Sequence, residues 1–332
     1  MRLLKQQHRR SSSSNPRIRI LLPALAAIAA ALPGPATGAD SAAGSSDTNV
    51  VAKTEKPPPL PLHQIEGNGG VFSTLCAYLV NPPRNGEFVG RPSAGFGFIH
   101  IGSGRDLEAV TVTETPWKRL ELGYGYDHLN LGDLPTAVVA AGGPRIADSV
   151  TMHNANARLQ FLSEGEFGQK WLPALTAGIH YKYNDGIQDI NNTLGNLMAQ
   201  HGITGHEGLD FTLYGSKMLA FLPRPVLVNL GGRATKSAQL GLLGFTDEYS
   251  FVFEGNVVVL VTDRVLLAAE YKEKPRDFSA MGLVGREDDW WTIDAGYVVS
   301  PHLTLAAGYG HFGMVANHTA DGAWGLTVKW EF

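Results

Sequence analysis

From about residue 92 to the end of the chain, apolar and polar side chains alternate with period two in a series of short runs. Leu120, Leu122, Tyr124 and Tyr126 oppose Glu121, Gly123, Gly125 and Asp127, while Ala155, Ala157, Leu159 and Phe161 oppose Asn154, Asn156, Arg158 and Gln160. Leu209, Phe211 and Leu213 likewise oppose Asp210, Thr212 and Tyr214, and Val265, Leu267, Ala269 and Tyr271 oppose Leu266, Ala268, Glu270 and Lys272. Successive side chains leave a strand on opposite sides, so this pattern predicts strands with two unlike faces. About twelve are expected, near 92–101, 107–115, 119–130, 149–162, 171–183, 208–219, 225–236, 248–261, 265–273, 289–299, 303–312 and 322–332, with ten to fourteen compatible with the pattern.

The connections decide what kind of sheet this is. After the first hairpin, short links at 116–118, 163–170, 220–224, 262–264 and 300–302 alternate with longer ones near 131–148, 184–207, 237–247, 274–288 and 313–321. A transmembrane β-barrel has that rhythm, with short turns on the periplasmic side, long loops outside, an even strand count and strands of roughly 9–11 residues. The expected fold is therefore all-β, a transmembrane antiparallel barrel over 92–332. An Arg or Lys facing lipid near the midplane costs about 2–4 kcal/mol, so the charged face must point inward. It carries Glu121, Asp127, Arg158, His180, Lys182, Asp210, Arg233, Glu254, Glu270, Lys272, Asp294, Lys329 and Glu331. Both signs are present. Arg233, Glu254 and Glu270 sit at similar heights on consecutive strands and are expected to pair across the wall in a plugging network; the other reading of the same face is a water-filled channel of weak ion selectivity.

The last strand places Trp324, Leu326, Val328, Trp330 and Phe332 on one face and Ala323, Gly325, Thr327, Lys329 and Glu331 on the other. It resembles the C-terminal strand of bacterial outer-membrane barrels, whose terminal aromatic residue is read by the barrel-assembly machinery. That resemblance implies outer-membrane lipid and the assembly machinery as partners. Composition agrees in what it excludes: charged residues are 17% and the net charge is −4, which is no basic footprint for nucleic acid. Many of the 39 glycines fall inside the alternating runs, where a barrel uses them to make room for aromatic rings and tight curvature. Cys76 is the one cysteine, so there is no intrachain disulfide, and its expected role is that of a small buried side chain.

Ahead of the barrel, residues 1–39 read as a cleaved export signal: a basic leader, the apolar run Ile20 to Leu32, and small residues at Ala36-Thr37-Gly38-Ala39. Residues 40–66 are expected to be a disordered Pro-rich linker, available to a periplasmic partner. Residues 67–91 form a pre-barrel segment that fits inside the lumen. The order Gly69-Gly70-Val71-Phe72-Ser73-Thr74, Ala77-Tyr78-Leu79-Val80-Asn81-Pro82-Pro83, Gly90-Arg91-Pro92-Ser93 and then Glu121-Leu122-Gly123-Tyr124-Gly125-Tyr126 resembles a family of bacterial outer-membrane proteins known as domain of unknown function 3034. The resemblance implies a class and no site.

Candidate chemistry is sparse. Ile190, Leu194, Leu197 and Met198 predict one short helix in the 184–207 loop, capping the rim. His201, His206, His311 and His318 lie on loops, at spacings that match no compact ligand pair, so no metal or cofactor is expected. No nucleophile stands beside an oriented base, and Asp288-Asp289 before Trp290-Trp291 reads as a loop end beside an interfacial aromatic girdle. The sequence thus predicts an outer-membrane barrel without catalysis, passing a small solute. The alternative is a structural or assembly role in envelope or exopolysaccharide export, which a filled lumen would favour; an outer-membrane hydrolase is a more distant one.

Overall fold

The computed structural model describes residues 62–275 and 288–332. The signal segment, most of the linker and the loop residues 276–287 lie outside the described residues. A short hairpin, β1 (Leu62–Gln64) and β2 (Asn68–Gly70), precedes the barrel. Twelve antiparallel strands then close on themselves: β3 (Ser93–Gly102), β4 (Arg105–Trp117), β5 (Leu120–Asn130), β6 (Ser149–Leu162), β7 (Ala174–Asp185), β9 (Glu207–Leu219), β10 (Val226–Ser237), β11 (Phe245–Leu260), β12 (Val265–Lys272), β13 (Trp290–Ser300), β14 (Leu303–His311) and β17 (Ala323–Glu331). The last strand pairs with the first, Trp324 opposite His100 and Glu331 opposite Ser93. No edge remains to be covered.

Inside and outside follow from the alternation. Trp324, Leu326, Val328, Trp330 and Phe332 are exposed on the outer surface together with Phe96, Leu122, Phe211, Leu230, Ile293 and Leu305, forming the apolar belt that a hydrocarbon layer requires. The predicted strand ends agree within three residues.

The connections 118–119, 163–173, 220–225, 261–264 and 301–302 gather at one end, and the loops 131–148, 186–206, 238–244, 273–289 and 312–322 lie at the other together with the tight turn 103–104. The loop end carries α1 (Leu134–Ala140), α2 (Ile187–Thr193), α3 (Leu197–Gln200), β8 (Ile203–Gly205), and a small hairpin of β15 (Gly313–Val315) and β16 (His318–Ala320). The single helix expected in the 184–207 loop is two. Gly195 and Asn196 both take left-handed backbone, φ 67° and 63°, and break it; Ile190 and Met198 are buried, whereas Leu197 is exposed.

Candidate functional site

The lumen is filled by the chain that precedes the barrel. The boundary expected at residue 66 is corrected: residues 62–66 form β1 and its turn, buried inside the wall. Leu62 and Ile65 bury apolar side chains there, and His63, Gln64 and Glu66 find polar partners, which offsets the entropy of ordering them. Gly67, at φ 80°, closes the turn by donating its N–H to the Gln64 carbonyl at 2.9 Å. Beyond β2 the chain crosses the lumen and returns toward the short turns. There Tyr78 bonds Glu164, and the Gly90 N–H donates to the Thr115 carbonyl at 3.0 Å.

Glu66 is the only charged residue between 57 and 83, and it sits at the tip of this plug. Arg233 grips its carboxylate with both terminal nitrogens, Nη1 to Oε1 at 2.8 Å and Nη2 to Oε2 at 2.5 Å. Lys182 Nζ lies 2.5 Å from Oε1, and Asn154 donates to the same oxygen at 3.2 Å. The wall groups also bind one another: Lys182 and Arg233 reach Asp210 Oδ2 at 2.7 and 2.9 Å, and Arg233 and Lys272 reach Glu254 Oε1 at 2.9 and 2.8 Å. Tyr214 donates to Glu254 from below. Burial alone would raise the Glu66 carboxyl, but the facing Arg233 and Lys182 outweigh it and hold Glu66 well below the usual carboxylate range.

Glu270 corrects the expected pairing. It does not join Arg233; its carboxylate is cradled by the plug backbone, accepting from the N–H groups of Phe72 at 3.1 Å, Ser73 at 3.0 Å and Thr74 at 2.7 Å, and from the hydroxyls of Thr74 at 2.5 Å and Thr292 at 2.9 Å. Successive backbone N–H groups forming such a concavity are a ready anion site. Lower down, Glu121 accepts from Gly69 N at 3.2 Å, Val80 N at 2.7 Å and Arg158 at 2.8 Å, while Arg158 donates to the carbonyls of Gly69, at 2.9 Å, and Cys76. Thr176 and Gln160 donate to the Ala77 carbonyl at 2.5 and 2.8 Å, and Ser216 accepts its N–H at 2.7 Å. Cys76 is buried, and burial pushes its thiol up to about 11.

The plug approaches the wall along glycines. A Cβ at Gly123 would lie 1.9 Å from the Gly67 carbonyl oxygen, and one at Gly325 would lie 2.4 Å from the Phe72 ring. The inward glycines expected to relieve curvature are thus also the seat of the plug.

Above the plug, the loop end closes with apolar side chains. Leu134 and Val138 of α1, Ile187 and Ile190 of α2, Met198, Leu240, Leu242, Phe312 and Val315 form one cluster with Ile99, Ile101, Leu107 and Leu129 of the wall. Ile65 and Phe72 of the plug belong to the same cluster. Ile65 and Ser73 floor a cavity of about 30 Å³ whose roof is Leu240, Leu242, Phe312 and Val315, so the cap rests on the plug.

Twelve of the thirteen residues expected to point inward are buried, and Glu331, at the end of the last strand, is partly buried. Arg158 with Glu121, and Lys182, Asp210, Arg233, Glu254 and Lys272 around Glu66, are brought together. Lys329 pairs with Glu331 at 2.7 Å, apart from that network. Asp127 and His180 are fully buried, and neither the Asp127 oxygens nor the His180 ring nitrogens have a hydrogen-bond partner among the described residues. Sequence reasoning missed Glu66 and His63, and placed Asn154 on the inner face without a role; the isolated acid in an otherwise uncharged stretch was the available signal. His63 lies 2.9 Å from Thr111 Oγ1 and 2.5 Å from Ser93 Oγ. Trp290 is a further difference: it turns inward against Phe312, ring centres 5.2 Å apart, and only Trp291 is left at the outer surface. No three His, Cys, Asp or Glu are grouped to hold a metal among the described residues. His311 instead pairs with Asp321 at 2.6 Å, and His318 lies 3.3 Å from Ser103 Oγ.

Residues 101–329 match the family described as "Protein of unknown function (DUF3034)". The match begins after the plug motifs. No curated protein matches the sequence. Solved structures that resemble the fold include a KdgM porin in complex with disordered oligogalacturonate (9% identity, covering 72% of this chain and 99% of that one, TM-score 0.46). Others are the COG4313 outer membrane channel from Pseudomonas putida F1 (12%, 74% and 96%, TM-score 0.45) and LpxR from Salmonella typhimurium (9%, 72% and 100%, TM-score 0.41). With TM-scores below 0.5, these likenesses carry no further argument.

Proposed function

We propose that this chain, which belongs to the DUF3034 family of proteins of unknown function, is an outer-membrane barrel held closed by its own N-terminal segment, and that displacing the segment opens a passage for a small polar solute. The observation that supports this reading is the character of the plug–wall contact. It is built from hydrogen bonds and ion pairs at Glu66, Glu270 and Glu121, and water can replace each of these when the plug leaves. The wall left behind is lined by charges of both signs, as a hydrated channel requires. Because Ile65 and Phe72 support the cap, withdrawal of the plug also removes the floor under Leu240 and Leu242. In the same proposal the leader at 1–39 exports the chain, and the last strand delivers it to the assembly machinery.

The apolar cap favours a second reading, a barrel sealed for good that anchors the periplasmic part of the chain in an envelope or export assembly. Planar-bilayer recording separates the two. The refolded mature protein is expected to be silent or to open rarely, and the form lacking residues 40–90 to give stable steps. Silence from that shortened form, with its barrel folded, supports the sealed role and removes the gated one.

A further inference from the structure

On the loop side of the barrel, over the part of the apolar cap made by Ile187, Met198 and Ile203, α2, α3 and β8 enclose a cleft of about 160 Å³. Its floor is apolar, made by Ile187, Met198 and Ile203, all buried. Its walls are amides and other uncharged polar groups: Gln188, Asn191, Asn192, Asn196, Thr204 and His206. The cleft is held in shape from beneath. Asn191 Oδ1 accepts the N–H groups of Met198 and Ala199 at 3.0 and 3.3 Å, which fixes α3 against α2. Asn184 donates to the carbonyls of Gly241 and Leu242 at 2.7 and 2.9 Å and accepts the Ile187 N–H at 3.2 Å, which ties the loop to the cap. The His206 ring stands edge-on to Tyr183, with centres 5.5 Å apart.

Two features of this cleft point to a ligand. Asn191 spends only its oxygen on the fold, so its amide N–H groups remain free to donate, and Gln188, Asn192 and Asn196 show no side-chain hydrogen bond within the described residues. A wall of amides carries donors and acceptors at once, which suits a hydroxyl that must do both. The apolar floor beneath them matches a flat C–H face. A molecule with one apolar face and a rim of hydroxyls is a pyranose ring. The volume is below the roughly 300–1,000 Å³ of pockets that enclose drug-sized ligands, so it takes one ring. No charged side chain lines the cleft, and the carboxylates nearby, Asp247 bonded to Thr204 at 2.5 Å, Asp189 of α2 and Glu207 after His206, oppose an anionic sugar.

We propose that this cleft is a binding site for a single neutral hexopyranose unit, presented either free in the medium or as part of the saccharide of surrounding lipopolysaccharide. The site stands whether or not the barrel conducts, because its test reads binding and no current.

The experiment is titration of the detergent-solubilised mature protein with methyl α-D-glucopyranoside, methyl β-D-galactopyranoside and methyl α-D-mannopyranoside, with methyl glucuronide as the anionic control and purified lipopolysaccharide as a separate arm. The variant is Gln188→Ala with Asn192→Ala, both exposed and on a folded helix, so the barrel should be unaffected. Saturable binding of a neutral glycoside, weakened at least tenfold in the variant, supports a free sugar. Binding of lipopolysaccharide alone, weakened by the same variant, supports the membrane-borne source. Absence of saturable binding in both arms, binding indifferent to the variant, or tighter binding of the glucuronide than of every neutral glycoside overturns the proposal. As a second readout, Asn196→Ala is expected to lose affinity, whereas Asn130→Ala, outside the cleft, is expected to leave it unchanged.

Discussion

Beneath the apolar cap, the lumen is closed by groups that carry charge: Arg158 on Glu121 near the short turns and, higher up, Arg233 and Lys182 on Glu66 and the backbone N–H groups of 72–74 on Glu270. At the loop end it is closed by Leu240, Leu242, Phe312, Ile190 and Met198. Buried charges at that end are spent on fixing the loops: Arg105 donates to the Ala316 carbonyl at 2.7 Å and to Asp133 before α1 at 2.5 Å, and Lys274 donates to the carbonyls of Phe312, at 3.3 Å, and Met314. The two closures fail differently. Removing one partner from the lower one leaves a buried charge uncompensated; trimming an apolar side chain in the upper one leaves a cavity that a loop can collapse into.

Four perturbations use that contrast. The largest effect is expected from Arg233→Ala, which strips Glu66, Asp210 and Glu254 of a shared cation and should destabilise the plugged barrel by about 3–5 kcal/mol. Denaturant titration followed by tryptophan fluorescence reads this loss, and a change under 1 kcal/mol would mean that the network is not dry. Leu242→Ala should cost about 2–3 kcal/mol, toward the low end for a buried leucine because the loop can settle. Its mark is faster proteolysis of the 238–244 loop at an unchanged barrel melting temperature. Gly123→Ala adds one methyl group where the Gly67 carbonyl and the Asn156 amide lie, an overpacking of about 1–3 kcal/mol that pushes on the plug backbone while the wall side chain can turn aside. Residues 62–80 should become protease-sensitive while heat-modifiable migration on gels is retained.

The smallest effect concerns pH. The Glu66 carboxyl is depressed in the folded state, so its contribution is fully present above the ordinary carboxylate value and is lost as pH falls through the folded value. Plug protection against protease should therefore be flat from pH 8 to about pH 5 and decline only in stronger acid. A transition near neutral pH would show that another group controls the plug.

The barrel was legible because every wall strand separates two environments, and a lipid face opposite a charged face writes period two into Leu120–Asp127 or Ala155–Phe161 without help from neighbours. The lumenal residues were legible for the same reason. What they bind was not. Glu270 is satisfied by N–H groups almost two hundred positions earlier in the chain, and residues 62–90 have no periodicity because their partners sit on many strands. The inward glycines at 123, 125 and 325 were visible in the pattern, but their meaning depends on Gly67 and Phe72 lying against them. The two-helix loop escaped notice because the apolar spacing of Ile190 to Met198 ignores the left-handed backbone at Gly195 and Asn196.

The central claim is that the N-terminal segment occupies the lumen and holds it shut. A Cβ at Gly95 would stand 3.2 Å from the Cβ of His63, close to the separation a disulfide spans. Bilayer current through His63→Cys with Gly95→Cys, in a Cys76→Ala background, recorded before and after reductant, tests it most directly. The account predicts ready cross-linking, complete silence while oxidised, and a return of the native barrel's rare openings once reduced. Failure of the cysteines to cross-link in a folded barrel, or equal current in both states, would contradict it.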